Sequence, residues 1–158
     1  MTAADLDPMA ELLGDPRVMA YYPRPKTRDE AGRWIEWNLA NYASDGFGLW
    51  IVEDDEGHFV GDCGLTWQRV DGVTDLELGY HVLPAFQGLG LATEGARACR
   101  ALAEARGILR LIAIIHPDNR ASQRVAEKVG LAAEKDTLSE QGLPIRVYST
   151  PLVTPPTI

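Results

Sequence analysis

Apolar side chains recur at helical spacing at Leu6, Met9 and Leu13, and again at Ala31, Ile35 and Leu39. Each run opens on a capping box, Thr2-Ala3-Ala4-Asp5 and Thr27-Arg28-Asp29-Glu30. In both, a threonine hydroxyl and an acidic side chain can satisfy N–H groups that a first helical turn leaves open. Gly14-Asp15-Pro16 is predicted to close the first helix, and the second is predicted to end before Gly46. The pattern then shifts to the alternation of strands. Phe47–Glu53, His58–Trp67 and Thr74–Leu83 are strand-like runs, separated by Asp54-Asp55-Glu56-Gly57 and by a turn at Asp71-Gly72. Such short turns predict an antiparallel meander.

A stripe of small residues follows, Ala92, Ala96, Cys99 and Ala103, which lets a helix lie close on a sheet until Gly107 ends it. Leu109–Ile115 is almost continuously apolar, as expected of a strand covered on both faces. The order strand, helix, strand from Thr74 to Ile115 implies a right-handed parallel crossover. Asp118 or Asn119 is placed to cap one more helix, with Val125 and Val129 facing inward and Gly130 as its stop. Leu131–Lys135 and Ile145–Leu152 can close the sheet as a hairpin, and Pro155-Pro156 marks a frayed tail. The expected fold is a single α+β domain over residues 1–158, with helices on both faces of a mixed, mostly antiparallel sheet.

Between the third strand and the small-residue helix stands Gln87-Gly88-Leu89-Gly90-Leu91-Ala92. Strand, glycine turn and helix N-terminus in that order form an anion cradle. Glycines admit close backbone approach, and first-turn N–H groups and the helix dipole favour a phosphate or pyrophosphate. Two readings compete. A dinucleotide fingerprint would need a third glycine where Thr93 stands, and the meander upstream is wrong for a doubly wound sheet. The alternative is Gln/Arg-x-x-Gly-x-Gly/Ala, met by Gln87, Gly90 and Ala92.

Charge narrows the partners. The net charge of −8 argues against nucleic acid, and no apolar run reaches the length of a membrane span. Residues 87–128 carry seven bases against four acids, whereas residues 1–83 hold sixteen acids and six bases. A basic segment therefore bears the cradle, while the acidic remainder suits a cationic substrate. Cys63 and Cys99 fit no metal or redox spacing and read as buried thiols in a reducing cytoplasm.

Gln87, Gly90 and Ala92 stand with Glu77-Leu78-Gly79-Tyr80 upstream and with Asn119-Arg120-Ala121-Ser122 and Lys128-Val129-Gly130-Leu131 downstream. Together they resemble the GNAT superfamily of N-acetyltransferases, most closely its RimJ/RimL-type branch. The resemblance spans nearly the whole chain, including Asp15-Pro16-Arg17-Val18-Met19. It implies acetyl transfer from acetyl-coenzyme A, as co-substrate and without a metal, to a primary amine in a ternary complex. The pantetheine arm would lie where two parallel strands splay. It also implies that backbone groups of Gln87, Gly88, Leu89, Gly90, Leu91, Ala92 and Thr93 hold the pyrophosphate. Val82 and Leu83 would pair with pantetheine, Asn119 would hydrogen-bond it, Ser122 would lie near the thioester sulfur, and Arg120 or Arg124 would meet outer phosphates.

An ammonium with a pKa of ~10.4 or ~8 must lose a proton before it attacks. Glu77, where many relatives have a carboxylate, is the first candidate base, and His81 on the same strand face is the second. The tyrosine that many relatives use to protonate the leaving thiolate is Ala126 here, so the acid is unassigned. Relatives also begin with a strand ahead of the first helix, and because this sequence opens at the capping box that strand is expected to be absent or lost with a misplaced start. Phe47–Glu53 is therefore an expected open edge, covered by an N-terminal coil or by a second copy in a homodimer. Tyr21, Tyr22, Trp34, Trp37, Trp50 and Trp67 are candidates for either acceptor pocket or core. A non-catalytic acyl-coenzyme A binding or sensing domain is the rival reading.

Overall fold

The capping boxes form as written. In the computed structural model, which describes residues 1–152, the Thr2 hydroxyl accepts from Ala4 N and the Asp5 carboxylate from Thr2 N. A 3-10 turn (Ala3–Asp5) leads into α1 (Leu6–Gly14). Thr27 and Glu30 cap α2 (Arg28–Asp45) in the same reciprocal way. The remaining elements are β1 (Leu49–Glu53), β2 (Phe59–Val70), β3 (Val73–Val82), a 3-10 turn at Pro84–Phe86, α3 (Leu91–Ala105), β4 (Arg110–Ile115), α4 (Arg120–Lys128), β5 (Ala132–Leu138) and β6 (Pro144–Pro151). The Pro155-Pro156 tail lies outside the described residues.

Six strands form one mixed sheet in the order β1-β2-β3-β4-β6-β5. β1 with β2, β4 with β6 and β5 with β6 are antiparallel, and β3 with β4 is the parallel pair. The chain resolves into two compact units, Met1–Gly64 with Tyr80–Ala92, and Leu65–Gly79 with the chain from Thr93 onward. β2 and β3 contribute to both.

In the first unit, Met9, Leu12 and Leu13 of α1 meet Met19, Ala31 and Ile35 in a fully apolar core, flanked by Trp34, Ile51, Phe59 and Leu83. One expected core position is exposed: Leu39 is 40% accessible, and its neighbour Asn38 is buried instead. The exchange has a polar cause. The Asn38 amide donates to Trp34 O and its oxygen accepts from Leu49 N, while Tyr42 OH donates to Leu49 O. Side chains of α2 thus satisfy both backbone groups of the first β1 residue, part of the edge that the sequence left open.

In the second unit, Val70, Ile112, Ile145 and Val147 form a further core, with Ile114 packed against it. Parallel pairing joins Leu76 to Leu111 and Glu77 to Ile112. Past that point, Ile114 N donates to Glu77 Oε2 at 3.0 Å, a side chain taking a strand amide. On α4 the residues facing inward are Gln123 and Ala126, with Val129 just beyond. Val125, expected inside, is only half-buried, because Gln123 donates to His116 O and Pro117 O and accepts from Tyr148 OH.

Candidate functional site

The first unit carries the cradle as far as Ala92. Gly88 and Gly90 both have φ +77, the left-handed region that side chains rarely adopt, so the turn needs glycine for its conformation. A Cβ at either position would meet nothing within 4 Å, which leaves the backbone open to a ligand. Gln87, Gly88, Leu89 and Gly90 are exposed, and α3 starts directly after them at Leu91. Leu91, Ala92 and Thr93 thus supply first-turn N–H groups without helical partners. Gln87 Nε2 donates to Val82 O at 3.0 Å and ties the turn to the end of β3. Leu83 N donates to Val60 O, so the Leu83 amide is spent within the sheet.

Three elements of the same unit, α2, β2 and β3, and the segment between α1 and α2 meet at His81. Its Nδ1 lies 2.7 Å from Asp62 Oδ1, and its Nε2 lies 2.8 Å from Tyr22 OH. Trp34 Nε1 donates to the second Asp62 oxygen at 3.1 Å. Asp62 is completely buried, whereas Tyr22 is 44% exposed. Gly61 lets the β3 backbone come close, since a Cβ there would fall 1.9 Å from the His81 carbonyl oxygen. Burial alone would pull the His81 ring toward its neutral form. Tyr22 and the Asp62 carboxylate outweigh it and hold the pKa up at about 10. Beyond Trp34 an open groove of about 310 Å³ runs between Lys26, Glu30, Arg33, Trp34 and Trp37. None of the six aromatics named above is a fully buried core residue.

In the second unit, Glu77 is half-buried and its carboxylate receives the Ile114 amide. Asn119 caps α4, its Oδ1 accepting from Ser122 N at 3.2 Å. Arg120 and Arg124 are exposed on α4.

Sequence reasoning named His81 and, as a pocket or core candidate, Tyr22, but not their pairing, and it missed Asp62. A signal existed at Asp62, an acid inside a strand between Gly61 and Cys63-Gly64 in an otherwise apolar and small run. Such a residue must have a buried partner. Among the described residues no cluster of His, Cys, Asp and Glu could hold a metal ion, and no helix is long and apolar enough to cross a membrane.

Residues 1–132 match the family model described as an acetyltransferase (GNAT) domain. A Bacillus subtilis protein, YkkB, described as uncharacterised, is 40% identical over 139 residues, covering 87% of this chain and 80% of its own. The FsC-acetyl coenzyme A-N(2)-transacetylase of Aspergillus fumigatus is 39% identical over 128 residues, or 74% of this chain. The match spans 54% of that longer enzyme. Among solved structures, an acetyltransferase from Agrobacterium tumefaciens superposes with a TM-score of 0.81 at 24% identity, over 95% of this chain and 86% of its own. YncA from Salmonella typhimurium, a protein solved with acetyl-CoA, gives 0.74 at 20% identity, over 100% and 94%. A ribosomal-protein-alanine N-acetyltransferase from Brucella melitensis gives 0.75 at 21% identity, over 96% and 97%.

Proposed function

The chain belongs to the GNAT acetyltransferase family, and from that premise we propose that it transfers an acetyl group from acetyl-CoA directly to a primary amine in a ternary complex. The observation that carries this reading is the turn at Gly88 and Gly90, left-handed, exposed and opening straight into α3. Its geometry suits a pyrophosphate, whose oxygens would take the N–H groups from Gln87 to Thr93. The pantetheine arm would pair with β3 at Val82, where Gln87 now holds the carbonyl, and with the Asn119 amide nitrogen. Arg124 would meet an outer phosphate. Residues 1–158 are read as a single catalytic domain working in the cytoplasm, and the Brucella likeness favours the RimJ/RimL-type branch.

Glu77 is the base in this reading, directly or through one water, and takes a proton from the ammonium so that the amine can attack. Ser122 lies near the sulfur. Thioester and amine become amide and thiol, so two of the ammonium's three protons must leave it. One is lost before attack. The other passes to the coenzyme A thiolate, directly or through solvent, as the amide forms and the C–S bond breaks.

Valine at Gly90 is expected to abolish acetyl-CoA binding in a protein that still folds. A β-branched residue in the left-handed region is strained by roughly 1–2 kcal/mol, and the turn is too exposed for its rearrangement to unfold the core. Calorimetry reads the affinity and a thermal melt the fold. Unchanged affinity in a folded Gly90→Val protein would move the cofactor site elsewhere.

The acceptor is read as cationic. Residues 1–83 carry sixteen acids against six bases, and a field of that sign speeds the encounter with a cation and fades with salt. For a polycationic amine, kcat/KM is expected to fall steeply as ionic strength rises, while a neutral analogue responds little. A flat salt response with the polycation would leave the charge without a role in binding. A homodimer closing the β1 edge is compatible with this reading and is tested by sedimentation.

A further inference from the structure

Parallel pairing of β3 with β4 joins Leu76 to Leu111 and Glu77 to Ile112, and it ends there. The next rung can be located from the other side of β4. Leu152 N donates to Leu109 O, so the Leu109 backbone faces β6. Backbone groups alternate sides along a strand, and Ile114, five residues further on, therefore turns its N–H toward β3. In a continued parallel ladder that N–H would donate to Leu78 O. It donates instead to Glu77 Oε2, at 3.0 Å. A side chain of β3 thus stands in for a backbone carbonyl of the same strand, and one rung is replaced. Leu76 and Leu78 on either side of Glu77 are buried, as are Ile112 and Ala113 opposite them. The two strands are packed firmly up to this point, so the break is local.

Resting on the reading above, with pantetheine lying where these two strands part, we propose that the Glu77 side chain is the wedge that parts them. Its oxygen satisfies the Ile114 amide, which then does not need Leu78 O, and the ladder cannot zip further. Without that oxygen the N–H would be unpaired, which is costly between two strands. Leu78 O is the acceptor in line to recover it. The recovered bond closes the strands, and a cofactor arm entering between them would have to break it. In this role Glu77 is a positioning residue, acting on the cofactor through the spacing of β3 and β4. The role needs only an acceptor oxygen at this reach, which sets it apart from the proton transfer already assigned to the same side chain.

The test uses the full chain and separates the wedge from the base. Glu77→Gln loses the base but keeps an oxygen for the Ile114 amide. Its acetyl-CoA Kd by calorimetry should stay close to that of the wild type. Glu77→Ala loses both, and its Kd is expected to rise by about tenfold, roughly the worth of one hydrogen bond. Glu77→Val, a strand former too short to reach the amide, takes its place if the alanine protein does not fold. Unchanged affinity in the alanine or valine protein, or an equal loss in Glu77→Gln, would overturn the proposal. NMR of the chain without ligand reads the wedge directly. A through-hydrogen-bond coupling between the Ile114 nitrogen and the Leu78 carbonyl carbon is expected in Glu77→Ala, and in neither the wild type nor Glu77→Gln. Its absence from the alanine protein would overturn the proposal whatever the affinities. If the wild type bound no acetyl-CoA, the proposed function would fail instead, and the coupling would still decide whether Glu77 holds the strands apart.

Discussion

Replacing Asp62 by alanine is expected to destabilise the folded chain by about 3–5 kcal/mol, the cost of leaving one partner of a buried pair uncompensated. Total stabilities are of order 5–15 kcal/mol, so the variant should lie near the edge of folding. Two other groups lose a partner with it, Trp34 Nε1 and His81 Nδ1. The pH dependence gives a second signature. His81 has a folded pKa raised above its ordinary value, to about 10. A raised pKa contributes stability that is fully present below ~6.5 and is lost as pH rises through the folded value. Wild-type melting temperature should therefore fall between neutral pH and pH 10 more than in Asp62→Ala, where the buried ring has no anion to hold its proton. Equal pH slopes in the two proteins would show that the pair does not carry this linkage.

The second large effect is on turnover. Glu77→Gln is expected to lower kcat by about 10²–10⁴ at neutral pH, as removal of a positioned base does. Partial recovery is expected at high pH, where the amine is free without help. The side-chain oxygen of glutamine can still accept the Ile114 amide, so the fold should be retained. Glu77→Ala differs in a readable way. It also strands that amide, at about 1–3 kcal/mol for an unsatisfied buried group. Wild-type turnover by Glu77→Gln across the pH range would take the base role from Glu77.

Both capping boxes, all six strands and the order of the elements were legible because they rest on local chemistry. Thr2 and Thr27 cap through their own neighbours, and Gly88 and Gly90 mark a turn that only glycine enters easily. Asn38 and Gln123 were not legible. Each is a polar residue inside a helix whose burial depends on distant partners, Leu49 for the first and Tyr148 for the second. Periodicity places apolar residues inward and cannot foresee such an exchange. The same limit hid the cluster around His81. Tyr22 lies 59 positions from it along the chain and Asp62 lies 19. The alternation of β3 put Glu77 and His81 on one face, yet gave no sign that the first would hold a strand amide and the second a buried acid.

The central claim is that this chain binds acetyl-CoA at the turn before α3 and passes the acetyl group to an amine. Thiol release from acetyl-CoA, followed across a panel of primary amines and beside calorimetric binding, tests it most directly. The expected result is tight binding together with amine-dependent coenzyme A release, and loss of both in Gly90→Val. Binding without release from any amine would identify a domain that senses acyl-coenzyme A without catalysis, and absence of binding would contradict the account at its root.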